Sequence, residues 1–163
     1  MRFRSIRSNQ KGFTLIELLI VIGILAVLLA ITLVALNPRQ NFGDANNSQR
    51  RSDVTAILDA INQYSAANKG VLPPSVSALT AGTATAIGSG TGQANVCADL
   101  VPTYIADVPI DPTAGTKSPS ASLCSASGTT YSAGYTVTKS TAGNRVTVSA
   151  PSAENSATIS VTR

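Results

Sequence analysis

The chain has 163 residues, with 12 Lys and Arg, 8 Asp and Glu, two Cys, one Met, and neither His nor Trp. Without histidine there is no Ser-His-Asp triad, no Cys-His pair and none of the commonest zinc ligand, and two cysteines cannot build an all-thiolate zinc site. The expectation is a chain that is not an enzyme and carries no metal or cofactor.

Charge is unevenly placed. Arg2, Arg4, Arg7 and Lys11 fall in the first eleven residues with no acid among them, and beyond Gly12 eight basic residues face eight acids. A basic tip on a formally neutral body predicts no specific nucleic-acid partner, because that requires Lys and Arg gathered on a folded surface. It reads as a topology signal beside a membrane segment.

That segment is residues 13–36, FTLIELLIVIGILAVLLAITLVAL, with Glu17 its one charge. As a helix it spans roughly 36 Å, enough for a hydrocarbon core of about 30 Å. The positive residues before it keep the N-terminus on the cytoplasmic side and send the remainder outward. A cleaved secretory signal fits poorly: the run exceeds the usual apolar core of roughly 7–15 residues, and no small-x-small site follows it. Glu17 separates it from a plain anchor, since an ionisable group within a membrane costs on the order of 3 kcal/mol and calls for a partner. Gly23 either permits close helix approach or is a tolerated weak point.

Across the boundary, Lys11-Gly12-Phe13-Thr14-Leu15-Ile16-Glu17 followed by the apolar run resembles the N-terminus of type IV prepilins and the related pseudopilins. The resemblance implies that a prepilin peptidase cuts between Gly12 and Phe13, removes the leader of residues 1–12, and N-methylates Phe13. Gly12, lacking a side chain, lets extended backbone approach a protease closely. The family's assembly glutamate matches Glu17, whose carboxylate would pair with the free amine of Phe13 on a neighbouring subunit; a buried pair escapes much of the penalty each charge suffers alone. The other reading of Glu17 is a polar residue bonded to its own backbone.

After Leu36, Pro38 and Gly43 predict a kink or locally melted stretch. From Asp44 the helical pattern resumes: Val54, Ile57, Leu58, Ile61 and Tyr64 share a stripe, with Asp53, Asp59, Asn62 and Gln63 largely elsewhere, and Lys69-Gly70 supplies the stop. This makes residues 37–69 a kinked amphipathic continuation of helix 13–36. The doublet Arg50-Arg51 reads as subunit contacts or a solvated face. Residues 70–130 read as a variable loop region, and Gly88-Ser89-Gly90-Thr91-Gly92 within it lacks the Lys-Ser/Thr of a phosphate loop.

Cys97 and Cys124, both on the expected outer side, suggest one disulfide, with two free thiols the alternative. Between them, Pro102, Pro109 and Pro112 argue for turns. Asp107 and Asp111 raise a calcium question, but two carboxylates are thin against the roughly 6–8 oxygens that ion takes. Residues 131–163 read as antiparallel strands: 135–139 and 145–149 about a turn at Ala142-Gly143-Asn144, then a third over 157–161.

The fold class expected is α+β, a long N-terminal helix packed on a small antiparallel sheet, pilin-like. The resemblance implies a structural subunit of a type IV pilus, a homo-oligomer in a helical filament, with a pseudopilin of a type II secretion or competence system as the alternative. It implies as partners the prepilin peptidase, an inner-membrane assembly platform and its ATPase, and the membrane itself. The precursor would be single-pass in the inner membrane with its N-terminus inside, and extracellular once assembled.

Overall fold

The computed structural model describes residues 12–163, and the chain divides into two compact units, Met1–Asn41 and Phe42–Arg163. The leader cations Arg2, Arg4, Arg7 and Lys11 lie outside the described residues.

The first unit holds helix α1, Leu15–Leu36. Thr14 starts it with an extended backbone (φ −79°, ψ 152°) and a capping side chain. Asn37 ends it in the left-handed region at φ 39°, where the following Pro38 already disfavours helical backbone. The long apolar side chains of α1 are exposed all round, from 52% at Ile20 to 89% at Leu15. The stretch Leu15–Ala35 is long and apolar enough to cross a membrane.

Helix α2, Pro38–Ala67, begins on the proline, whose missing N–H is no loss at a first helical position. The break expected over residues 37–43 is thus confined to Asn37. Gly43 is helical and buried, because a side chain there would collide with the amide of Asn155, 2.8 Å from where its Cβ would sit. Further along, Val54, Ile57, Leu58 and Ile61 are buried and Tyr64 packs half-buried against them, edge-on to Tyr104. The helix closes before Lys69-Gly70, with the Gly70 N–H bonded to the Ser65 carbonyl.

The stripe meets a five-stranded antiparallel sheet in one core. Its centre is β3, Thr130–Lys139, after β1 (Thr85–Gly88) and β2 (Thr116–Ser118), and before β4 (Val146–Ser149) and β5 (Ser160–Thr162). Ser132 is paired to Gly88 on one side and Thr116 on the other, so β1 takes one edge of β3 while β2 and then β4 share the opposite edge. β5 continues outward from β4. Alternation buries Tyr131, Ala133, Tyr135 and Val137 against the helix. Two short helices, α3 (Pro74–Ser77) and α4 (Val96–Leu100), add Val76, Val96 and Leu100 to the core.

The region 70–130 is therefore more than a variable loop: it contributes two strands and two helical turns, and Gly88 of the glycine-rich stretch is a buried strand residue. β3 begins at Thr130, five residues before the expected strand, because its early part is held by β2. The third C-terminal strand starts at Ser160 rather than 157.

Candidate processing and assembly site

Gly12, Phe13 and Thr14 precede the first helical residue and have no regular structure. Gly12 is exposed with open space around it, and Phe13 is 92% exposed. The Gly12–Phe13 bond thus lies in exposed backbone just outside α1, the kind of segment a protease engages without unfolding an element.

The helix start is a reciprocal capping box. The Glu17 N–H donates to the Thr14 Oγ1 at 3.2 Å, while Glu17 Oε2 accepts from the Thr14 N–H and Oγ1, each at 2.8 Å. Of the two readings of Glu17, bonding to its own helix start is present in the single chain. The carboxylate also sits where a helix terminus favours negative charge, one turn from Phe13. It stays exposed, with valences open to a further donor.

In the second unit Cys97 and Cys124 form a disulfide with Cα atoms 6.1 Å apart, both cysteines buried. The Cys97 N–H donates to the Tyr131 Oη at 3.2 Å, and burial pushes the Tyr131 phenol up to about 12. The Cys124 N–H donates to Asp107 Oδ1, and Asp107 Oδ2 pairs with Lys117 Nζ at 2.5 Å. Desolvation raises the Asp107 carboxyl, but Lys117 and the N–H groups of Cys124 and Val108 outweigh it and hold the group below its usual value.

Arg50 is not a subunit-facing cation. It is fully buried, and each of its N–H groups has an acceptor. Nε reaches Asp111 Oδ2 at 2.7 Å; Nη2 reaches Asp111 Oδ1 at 3.2 Å and Thr113 Oγ1 at 2.6 Å; Nη1 reaches Asn47 Oδ1 and Glu154 Oε1, each at 3.1 Å. Asp111 also accepts from the N–H groups of Thr113 and Ala114, so despite burial its carboxyl is held below the usual range by Arg50 and these donors. The loop carrying Asp111 lies against β3 at Gly134, whose φ of +79° and bare Cα admit the Asp111 Cβ; a Cβ there would stand 2.6 Å from it. Asp53, expected off the stripe, is likewise buried and accepts from the Tyr135 hydroxyl at 2.6 Å. Asp107 and Asp111 thus each have a cation of this chain as partner, and among the described residues no group of three or more acids or cysteines converges as metal ligands. Arg51 is exposed.

What sequence reasoning missed is that Arg50 and Asp53, charged residues in an amphipathic helix, point inward. A signal existed: Arg50, Asp53, Val54, Ile57 and Ile61 share one helical face at 3-4 spacing.

Residues 7–33 match the family model described as the prokaryotic N-terminal methylation motif. No curated protein and no solved structure matches the chain. The motif implies processing by a prepilin peptidase and assembly into a pilus-like filament, and together with the apolar helix it is consistent with a membrane-anchored precursor. Residues 7–33 thus carry the type IV pilin and prepilin signature.

Proposed function

We propose that this chain is a structural subunit of a type IV pilus, acting by assembly and not by catalysis. The observation that carries the reading is α1: a helix with no side chain of Leu15–Ala35 buried in its own chain, one carboxylate at its start, and an exposed Gly-Phe bond immediately before it. Such a helix is satisfied first by lipid and then by a bundle of like helices. Cleavage after Gly12 removes the leader cations and creates an amine at Phe13 for a neighbour's Glu17. The membrane platform and its ATPase would then extract the subunit, N-terminus inside, and the heads would coat an extracellular filament. The disulfide favours this reading over a pseudopilin of a secretion or competence machine.

The test is mass spectrometry of filaments sheared from the cell surface, with electron microscopy of the same fraction. Long filaments whose dominant chain starts at methylated Phe13 are expected. Processed chain confined to the envelope, without surface filaments, would replace the pilus reading with the pseudopilin one. Gly12→Ala should slow cleavage, whereas Glu17→Ala should leave cleavage largely intact and abolish filaments. Normal filaments from Glu17→Ala cells would overturn the pairing role.

A further inference from the structure

Beyond Gly12 the chain is formally neutral, yet its fold separates the charges. Asp107, Asp111 and Glu154 are spent on Lys117 and Arg50. At the far end of β3 four cations come together instead. Lys139 ends that strand opposite Val146, the Arg145 carbonyl accepts from the Ser140 N–H, and Arg163 exchanges backbone bonds with Val146. Lys69 sits beside them through Gly70, whose carbonyl accepts from the Asn144 side chain. The acids on adjoining elements are engaged: Asp59 pairs with Arg163, and Asp99 accepts from the Ser75 N–H.

An open hollow of about 370 Å³ lies at this end, lined by Lys139, Arg145, Thr138, Thr147 and Thr162 over Gly82. The three threonines face each other across β3, β4 and β5, in register Thr138 to Thr147 to Thr162. Thr147 and Thr162 share a hydroxyl–hydroxyl bond of 2.7 Å. Arg145 is exposed and makes no side-chain hydrogen bond or ion pair among the described residues. Lys139 uses one ammonium proton on the Ser77 carbonyl and keeps two donors. No carboxylate and no aromatic ring lines the hollow.

We infer that this hollow binds an anionic polysaccharide, with Arg145 and Lys139 on its sulfate, phosphate or carboxylate groups and the threonine row on its hydroxyls. A guanidinium presents a planar fork that matches such oxyanions. The absence of an aromatic platform argues against single-stranded nucleic acid, which is held largely by stacking.

The test uses the full mature chain from Phe13, in detergent, so that leader cations make no contribution. Its binding to dextran sulfate, neutral dextran, and single- and double-stranded DNA is measured over a salt series. Dextran sulfate should bind, neutral dextran should not, and K139A/R145A should weaken binding at least about tenfold, with the salt slope falling by about 1 per cation removed. K139R should retain it, and Arg51→Ala, an exposed cation elsewhere, should leave it unchanged. Circular dichroism of the variants checks that the head is intact. Undiminished binding by K139A/R145A, an equal loss in Arg51→Ala, or DNA binding as tight as dextran sulfate would overturn the assignment.

Discussion

Helices α1 and α2 solve the problem of apolar surface in opposite ways. Over Leu15–Ala35, α1 is apolar on every side and buries none of it within the chain. α2 is mostly polar and buries a narrow stripe completely, with Val54, Leu58 and Ile61 at 0% exposure. The same chain thus holds one helix stabilised by its own tertiary structure and one whose burial must come from outside, from lipid or from other copies. Charge follows the same division. The α1 carboxylate, Glu17, is exposed at the helix start and bonded only locally, whereas Arg50 and Asp53 of α2 are enclosed and tied to distant parts of the chain. A buried charge within a fold is fixed by several partners at once; an exposed one at a helix end stays free to meet another molecule.

The sharpest way to break this comparison is Arg50→Ala. It leaves Asp111 buried without its cation and should destabilise the head by about 3–5 kcal/mol. All four tyrosines, Tyr64, Tyr104, Tyr131 and Tyr135, lie in the second unit and there is no tryptophan, so tyrosine near-ultraviolet dichroism under urea reads the head alone. A loss below about 1 kcal/mol would mean the network is dispensable.

Next comes the disulfide. Cys97 and Cys124 are 27 residues apart, which in the chain-entropy model corresponds to about 3–4 kcal/mol. Cys97→Ser with Cys124→Ser should lower the urea midpoint accordingly, and reduction of the wild type should have a comparable effect.

A smaller effect is expected from acid. Asp107, Asp111 and Glu154 are all held below their ordinary values. A carboxyl depressed in the folded state contributes stability that is complete above its unfolded pKa, near 4, and is lost as pH falls through the folded value. The tyrosine-monitored midpoint should therefore be insensitive to these groups at neutral pH and decline below about pH 4, and Asp111→Asn should flatten part of that decline. Smallest of all is Ile24→Ala in α1: its side chain is exposed in the single chain, so the head transition should move by less than about 0.5 kcal/mol.

Local chemistry made some of this legible. The apolar run and the break expected at Pro38 are both effects between residues a few positions apart, and they place α1 from sequence, while its Thr14 cap emerged only in the structure. The 3-4 spacing placed the stripe from Val54 to Tyr64, and alternation placed the second half of β3 and all of β4 around the turn at Ala142. β1 and β2 were hidden because Thr-Ala-Ile-Gly and Thr-Lys-Ser are too short to show a period; only the free edges of β3 make strands of them. At the candidate processing site, the residue pattern singled out Gly12, Phe13 and Glu17, but the reciprocal bonding of Thr14 and Glu17 appears only in the folded helix.

By itself, then, the sequence determined the membrane-length helix, the methylation motif before it and the face on which α2 is apolar, since each depends on short-range spacing. The tertiary structure alone decided that Arg50 turns inward to Asp111, 61 positions away, and that Lys139, Arg145 and Arg163 share one end of a neutral head. The physical reason is separation along the chain. A charge in a sequence has no sign of its partner until folding brings the two together and removes the water between them.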